Sequence, residues 1–504
     1  MASISNDDIP PTERSTLLHG SRLFFVMFGL GCSVCLGALD QTVVATSSPK
    51  IVSDFNALNQ ISWIAGAYLL TETSLQPIYG KLSNIFGRKV TILFSVFVFE
   101  LGSLLCGFAQ NMISFIIFRA IAGVGGGGIL ILADTIVTDI VSAKDVGRYQ
   151  SIINAFYGIT TVVGPILGGI FTDHVSWRWS FFINLPLGAI TIITVTFSLH
   201  SPKQTALLKN IKRLDVTGIA IIIVSTICIL LPLNWGGNAY AWNSPIIIAP
   251  FCVGVVGYAL FGFVESYVAV EPIAPLAFLH GMSFYSFITY VPIYFQAVKG
   301  YSATMAGVAL APYVLGFSVA TAITGQLYSR TDKVTHRLLC LIGSAFMTIS
   351  FGLITMWNEN SGPGELIGFI IIAGLGAGII FQDVLLCCQE SIEHKDIAIT
   401  TSLLMFFNTV GGVLGNAIIG NIFYTKLIQF SSSLALPQSF TPQSVYCIQF
   451  LPAETRSLVI HAYSMALHSS FIAFIPMCGL SFILSLFMGN IKPSYSEENL
   501  GRVI

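Results

Sequence analysis

Stretches of about twenty consecutive apolar residues recur along the chain, and no other feature restricts its fold so tightly. Each is long enough to cross the hydrocarbon core as a helix, which satisfies its own backbone hydrogen bonds where water is absent. Fourteen can be counted, running roughly over 22–47, 60–80, 90–109, 113–140, 149–172, 181–199, 214–233, 245–265, 275–297, 303–328, 338–357, 365–388, 398–424 and 461–489. Most connections are short, and the longest, about 425–460, precedes the final stretch. Charged residues make up only 9% of the 504-residue chain, against about 25% in soluble domains. The expected fold class is an all-α polytopic membrane protein.

Orientation follows from the basic residues in the loops. With the N-terminus in the cytosol, cytosolic segments hold seventeen lysines and arginines and the opposite side five. Both termini are therefore expected to be cytosolic. The net charge of −1 carries no message about nucleic acid, and none is expected as a partner. The ten cysteines lie mostly inside apolar runs, so they read as small buried hydrophobes rather than a disulfide framework. The polar first 21 residues are not a cleavable signal peptide.

An internal repeat divides the chain. Gly80 to Lys89 (GKLSNIFGRK) follows the second stretch, and Gly325 to Arg337 (GQLYSRTDKVTHR) follows the tenth. The fifth carries Gly164-Pro165-Ile166-Leu167-Gly168-Gly169 and the thirteenth Gly411-Gly412-Val413-Leu414-Gly415. These matches align spans 1–6 with spans 9–14 and leave 7 and 8 as an insert. Two six-helix halves about a central cavity form a transporter architecture.

Five acids fall inside spans, Asp40, Glu72, Glu100, Asp134 and Asp383, together with one base, Arg119. Charges at such depth line a water-filled path or pair with one another. Asp40 and Arg119 lie at nearly the same height in the outer half of the first bundle, so an ion pair is expected, and its loosening on protonation would link protons to helix movement. Glu72 lies near mid-membrane and Asp134 toward the cytosolic half of span 4, both placed to balance a cationic substrate; Asp383 puts one acid in the second half. The competing reading for each is a neutral carboxyl bonded to a neighbouring helix. The glycines Gly164, Gly168 and Gly169 permit close helix approach, and Pro165 favours a kink. No metal site or catalytic constellation is expected.

Several motifs carry a family resemblance: GKLSNIFGRK, Arg119-Ala120-Ile121-Ala122-Gly123, GITTVVGPILGG (Gly158 to Gly169), LDQTVV (Leu39 to Val44) and WRWSFFINLPLG (Trp177 to Gly188). The chain resembles the major facilitator superfamily and, within it, the fourteen-span drug:proton antiporter group. YLLTETSLQPIYG (Tyr68 to Gly80), LADTIVTDIVS (Leu132 to Ser142) and LHGMSFYSFITYVPIYFQ (Leu279 to Gln296) resemble fungal vacuolar basic amino acid transporters. The resemblance implies a coupling role for Arg119, a gate built from Gly80, Lys81, Asn84, Gly87, Arg88 and Lys89, and a hinge at Gly164, Pro165, Gly168 and Gly169. Two departures stand out. Asn84 replaces the usual aspartate and cannot form that gate's ion pair, and the approach to span 9, from Glu271 to His280, looks shortened.

The expected organisation is a cytosolic tail (1–21), a six-helix bundle (22–199), a cytosolic linker with two inserted helices (200–265), a second bundle (266–489) with a lumenal loop at about 425–460, and a cytosolic tail (490–504). Glu13, Leu17 and Leu18 fit an acidic dileucine signal for a vacuolar sorting adaptor. The expected function is a monomeric vacuolar transporter that exchanges lumenal protons for cytosolic lysine, arginine, histidine or asparagine. It needs no cofactor beyond the proton gradient. The alternatives are a plasma-membrane exporter of drugs or siderophores and, further off, a non-transporting nutrient sensor.

Overall fold

The computed structural model describes residues 18, 20–55, 57, 61–142, 145–199, 216–236, 240–264, 273–330, 334–390, 397–433, 448 and 452–488. They are helical almost throughout: α1 (Gly20–Asp54), α2 (Ile61–Phe86), α3 (Arg88–Gly107), α4 (Met112–Ile140), α5 (Val146–His174), α6 (Trp179–Phe182), α7 (Asn184–Ser198), α8 (Val216–Trp235), α9 (Pro245–Val264), α10 (Ile273–Ala297), α11 (Ala303–Arg330), α12 (His336–Ile354), α13 (Pro363–Glu390), α14 (Ile397–Ser433), α15 (Ala453–Ile472) and α16 (Phe474–Leu486).

A helix occupies each apolar stretch, but eleven among the described residues are long and apolar enough to cross a membrane, counting α6–α7 and α15–α16 as one each. The shortfall from fourteen has a physical reason. Helix α2 interrupts its apolar surface with Thr71, Glu72, Thr73, Ser74 and Gln76, and the described apolar parts of α8 and α9 are short, Ile223–Pro232 and Pro245–Gly257. Large side chains such as Phe97, Ile159, Ile323 and Phe487 face outward, as lipid contact requires.

The two halves repeat one packing scheme. Helix α1 packs on α5, α2 on α4 and α3 on α4; in the second half α10 packs on α14, α11 on α13 and α12 on α13. Helices α8 and α9 pack on each other, with α8 resting on α2. The halves meet along α5–α11 and α2–α14. Helix α4 is clamped between α2 and α3, which its glycine run permits. A methyl group at Gly127 would stand 2.6 Å from the Glu72 carbonyl oxygen, and Gly125 and Gly128 face Phe99 and Ser95. Each half has its own apolar core.

Two expectations meet the structure here. Residues 265–272, the shortened approach to span 9, lie outside the described residues, yet α10 spans 25 residues. Its Gly281 meets the α14 backbone at Asn408, and Gly411 and Gly415 of α14 meet Phe278 and Met282 in turn. Of the sorting signal, Glu13 and Leu17 lie outside the described residues. Leu18 is half-buried, its amide donates to the Ile140 carbonyl at 2.9 Å, and its side chain packs on the first half's core, so the structure does not present it for an adaptor.

Candidate functional site

Asp40 and Arg119 meet inside the first half. The two helix faces are brought level because α1 and α4 cross there, and Arg119 Nη1 stands 2.6 Å from Asp40 Oδ2 with both side chains sealed from solvent. Arg119 Nε donates to the Ile64 carbonyl at 3.0 Å, and the guanidinium lies over the Tyr68 ring at 4.5 Å. The second carboxylate oxygen, Asp40 Oδ1, is buried without a hydrogen-bond partner. The sealed pair thus keeps one acceptor oxygen without a protein donor among the described residues.

Glu72 lies at the junction of the two halves. Gln41 Nε2 approaches Glu72 Oε1 at 3.5 Å, while Glu72 Oε2 is buried without a partner. Tyr157 of α5 and Tyr285 of α10 lie within electrostatic reach of Glu72. Gln76, one turn along α2, donates to Thr409 at 3.3 Å. One carboxylate is thus surrounded by two amides, two phenols and a threonine drawn from both halves. The Asp40–Arg119 pair also lies within electrostatic reach of Glu72, so this belt joins aromatic and amide groups to a cluster of charges.

Glu72, Asp134 and Asp383 do not converge on a shared substrate site. Asp134 is fully buried in the apolar core of α4, and neither of its oxygens has a hydrogen-bond partner. Asp383 turns away from the junction: its Oδ1 lies 2.8 Å from His336 Nδ1 and its Oδ2 accepts from the Cys340 thiol at 3.0 Å. Helical periodicity decides this, because Gln382 takes the face toward α5 and Asp383 the face toward α12. Glu100 packs against Gly188 of α7.

The α2–α3 turn is closed by a positive-φ glycine, Gly87 at 88°. Gly80 lets α2 approach α14 so closely that an added methyl would stand 2.6 Å from the Ala398 carbonyl. Arg88 Nε donates to Asp139 Oδ2 at 2.7 Å, and its Nη1 donates to Asn84 Oδ1 at 2.6 Å and Ser83 Oγ at 2.5 Å. Asn84 therefore contributes a hydrogen bond while Asp139 of α4 supplies the charge. Lys89 Nζ donates to the Thr196 carbonyl at 2.7 Å, and Lys81 is half-exposed beside Gly80. At the other expected moving part, α5 continues unbroken through Pro165. Gly164 and Gly168 face Thr42, Val43 and Thr46 of α1, Pro165 faces Gly307 of α11, and Gly169 faces Thr304.

Sequence reasoning missed Asp139, Gln41, Tyr157, Tyr285 and His336. Asp139 had a signal, an acid five residues after Asp134 at the end of the same span. The tyrosines and amides had none, since nothing local marks which face of a helix meets the opposite half.

Comparison with known proteins places these features. Residues 30–416 match the profile of the Major Facilitator Superfamily. The chain is 33% identical to the efflux pump aflT of Aspergillus parasiticus, over 92% of this chain and 95% of that protein. It is 35% identical to the MFS-type efflux pump MFS1 of Arthroderma benhamiae, over 93% and 91%. The structure resembles the human organic anion transporter MFSD10 with a TM-score of 0.63, at 12% identity, over 95% of this chain and all of that one.

These relatives overturn vacuolar import of basic amino acids, since they are named as efflux pumps. The structure gives the reason. The motifs that suggested that import serve helix packing: Thr71 Oγ1 donates to the Ala120 carbonyl at 2.8 Å and the Tyr79 hydroxyl to that of Val124 at 2.5 Å. Such residues report a shared scaffold and say nothing of substrate.

Proposed function

The chain belongs to the Major Facilitator Superfamily, and on that premise we propose that it is a proton-driven efflux pump of the plasma membrane for small amphipathic organic molecules. Its substrates carry an apolar or aromatic body and one cationic or hydrogen-bond-donating group. The observation that carries this reading is Glu72, a carboxylate with one unpartnered oxygen in the aromatic and amide belt between the halves. The names of the relatives supply the direction, export.

In this reading the chain crosses the membrane fourteen times, six plus two plus six, with both termini cytosolic, and the α2–α3 turn faces the cytosol. The halves rock about the α5–α11 and α2–α14 contacts. Substrate meets Glu72, and the Asp40–Arg119 pair answers to protons.

Expression in a yeast strain stripped of its own pumps tests it. The protein should reside at the cell surface and lower accumulation of lipophilic cationic dyes, and a protonophore should abolish that effect. Unchanged accumulation across a panel of neutral and cationic dyes, with the protein present at the surface, would refute the reading.

A further inference from the structure

His336 opens α12 as Arg88 opens α3, and each meets an acid at the end of the following helix. Arg88 bonds Asp139, one residue before the end of α4, and His336 bonds Glu390, the last residue of α13. The second half therefore repeats the first half's ion pair with a titratable base where the first has a permanent cation. It also adds a second acid, Asp383, one helical stripe along the same face.

The hydrogen bonds of this cluster require a proton count. His336 Nδ1 lies 2.8 Å from Asp383 Oδ1, and Nε2 lies 3.3 Å from Glu390 Oε2. A neutral imidazole has one N–H and one lone pair. With both carboxylates ionised, that lone pair would face a carboxylate oxygen. Among the described groups, the geometry at the ring is satisfied when one additional proton sits on the ring or on a carboxyl. The His336 and Asp383 side chains are fully buried, and Glu390 retains 16% exposure, a route for that proton to solvent. Among the described residues, the other titratable groups facing the cluster are the Cys340 thiol, which donates to Asp383, Cys387 beside it, and Tyr328 of α11, whose ring lies 5.3 Å from that of His336.

The adjacent stripe of α13 holds the two halves together. Gln150 and Asn154 of α5 donate to Gln389 at 2.9 Å and Gln382 at 3.1 Å. Gln382 and Gln389 are the immediate neighbours of Asp383 and Glu390, seven residues apart in each case. A shift of α13 relative to α12 must therefore move the amides that grip α5.

We propose that His336, Asp383 and Glu390 form a proton-binding site whose occupancy holds α13 against α12 and so keeps this end of the junction closed. Losing the proton leaves two carboxylates facing an imidazole lone pair, which pushes α13 off α12 and releases Gln382 and Gln389 from α5. The binding of the proton stands by itself. Its use in export rests on the proposed function, in which release to the cytosol opens the cytosolic end to substrate.

The test uses the full-length protein in lipid bilayers with nitrogen-15-labelled histidine. The chain has eight histidines, and the signal lost in His336→Gln identifies the ring. In the wild type its two nitrogen signals should change as the pH is raised. Asp383→Asn, whose amide can satisfy Nδ1 without an added proton, should lose that shift, and Glu390→Gln serves equally if Asp383→Asn does not fold. Hydrogen exchange across residues 146–154 and 382–390, corrected for intrinsic rates, should rise with pH in the wild type and lose that rise in the variant. Ring signals that stay constant in the wild type overturn the site, and exchange profiles shared by wild type and variant overturn its hold on α5. Both readouts need no substrate, so a failure of the export reading remains separate.

Discussion

Replacing Asp40 by leucine leaves the Arg119 guanidinium buried against the Ile64 carbonyl at 3.0 Å, the Tyr68 ring at 4.5 Å and the Phe181 ring at 6.0 Å. Removing one partner of a buried pair costs about 3–5 kcal/mol. The Tyr68 ring contact is present before and after the change and so cancels in the difference. Net destabilisation of about 3–5 kcal/mol is expected. The reverse change, Arg119→Met, should cost less, about 1–3 kcal/mol, because a stranded carboxylate can take up a proton whereas a guanidinium stays charged. The double variant Asp40→Leu with Arg119→Met replaces both charges by apolar atoms and should unfold within about 1 kcal/mol of the wild type. The cycle therefore predicts strong coupling between the two sites, about 3 kcal/mol or more. Unfolding of the purified protein in mixed detergent–SDS micelles measures all four. A double variant that loses the sum of the two single losses would show that the pair is not an energetic unit.

Three further outcomes follow from the same geometry. Glu72→Gln should fold normally, since Glu72 Oε2 has no hydrogen-bond partner to lose, while energised export of cationic probes falls about tenfold or more, read by dye efflux from cells. Gly80→Val should force α2 away from the Ala398 carbonyl at a cost of about 1–3 kcal/mol and open that end, seen as faster hydrogen exchange over Ile397 to Ser402. Asp139→Asn should cost about 1.5–3 kcal/mol by removing the charge partner of Arg88, whereas Asn84→Ala should cost about 1 kcal/mol. Equal losses for the last two, measured by thermal unfolding, would contradict the division of labour between Asp139 and Asn84.

Much of the architecture was legible in the chain itself. Apolar length and the repeated Gly-x-Leu and Gly-Gly segments located the helices and paired the halves, because a membrane leaves a helix as the one local solution to backbone hydrogen bonding. The depth of Asp40 and Arg119 along their helices put them level, since rise per residue is fixed. The motifs read as marks of amino acid transport were less informative, for Thr71 and Tyr79 bind neighbouring backbones and belong to any member of the scaffold.

Rotation about each helix axis was not legible, and only the tertiary structure decided it. Asp383 and Gln382 are neighbours in sequence, yet one turns to His336 and the other to Asn154 of the opposite half. Arg88 found its acid in Asp139, at the far end of the following helix α4. Hydropathy averages over a whole turn and so records how far a residue lies along a helix. Which way it faces depends on glycine contacts such as Gly281 on Asn408 and Gly80 on Ala398, set by partners more than a hundred residues away. Position along a helix was thus a property of the sequence, and azimuth a property of the packed molecule.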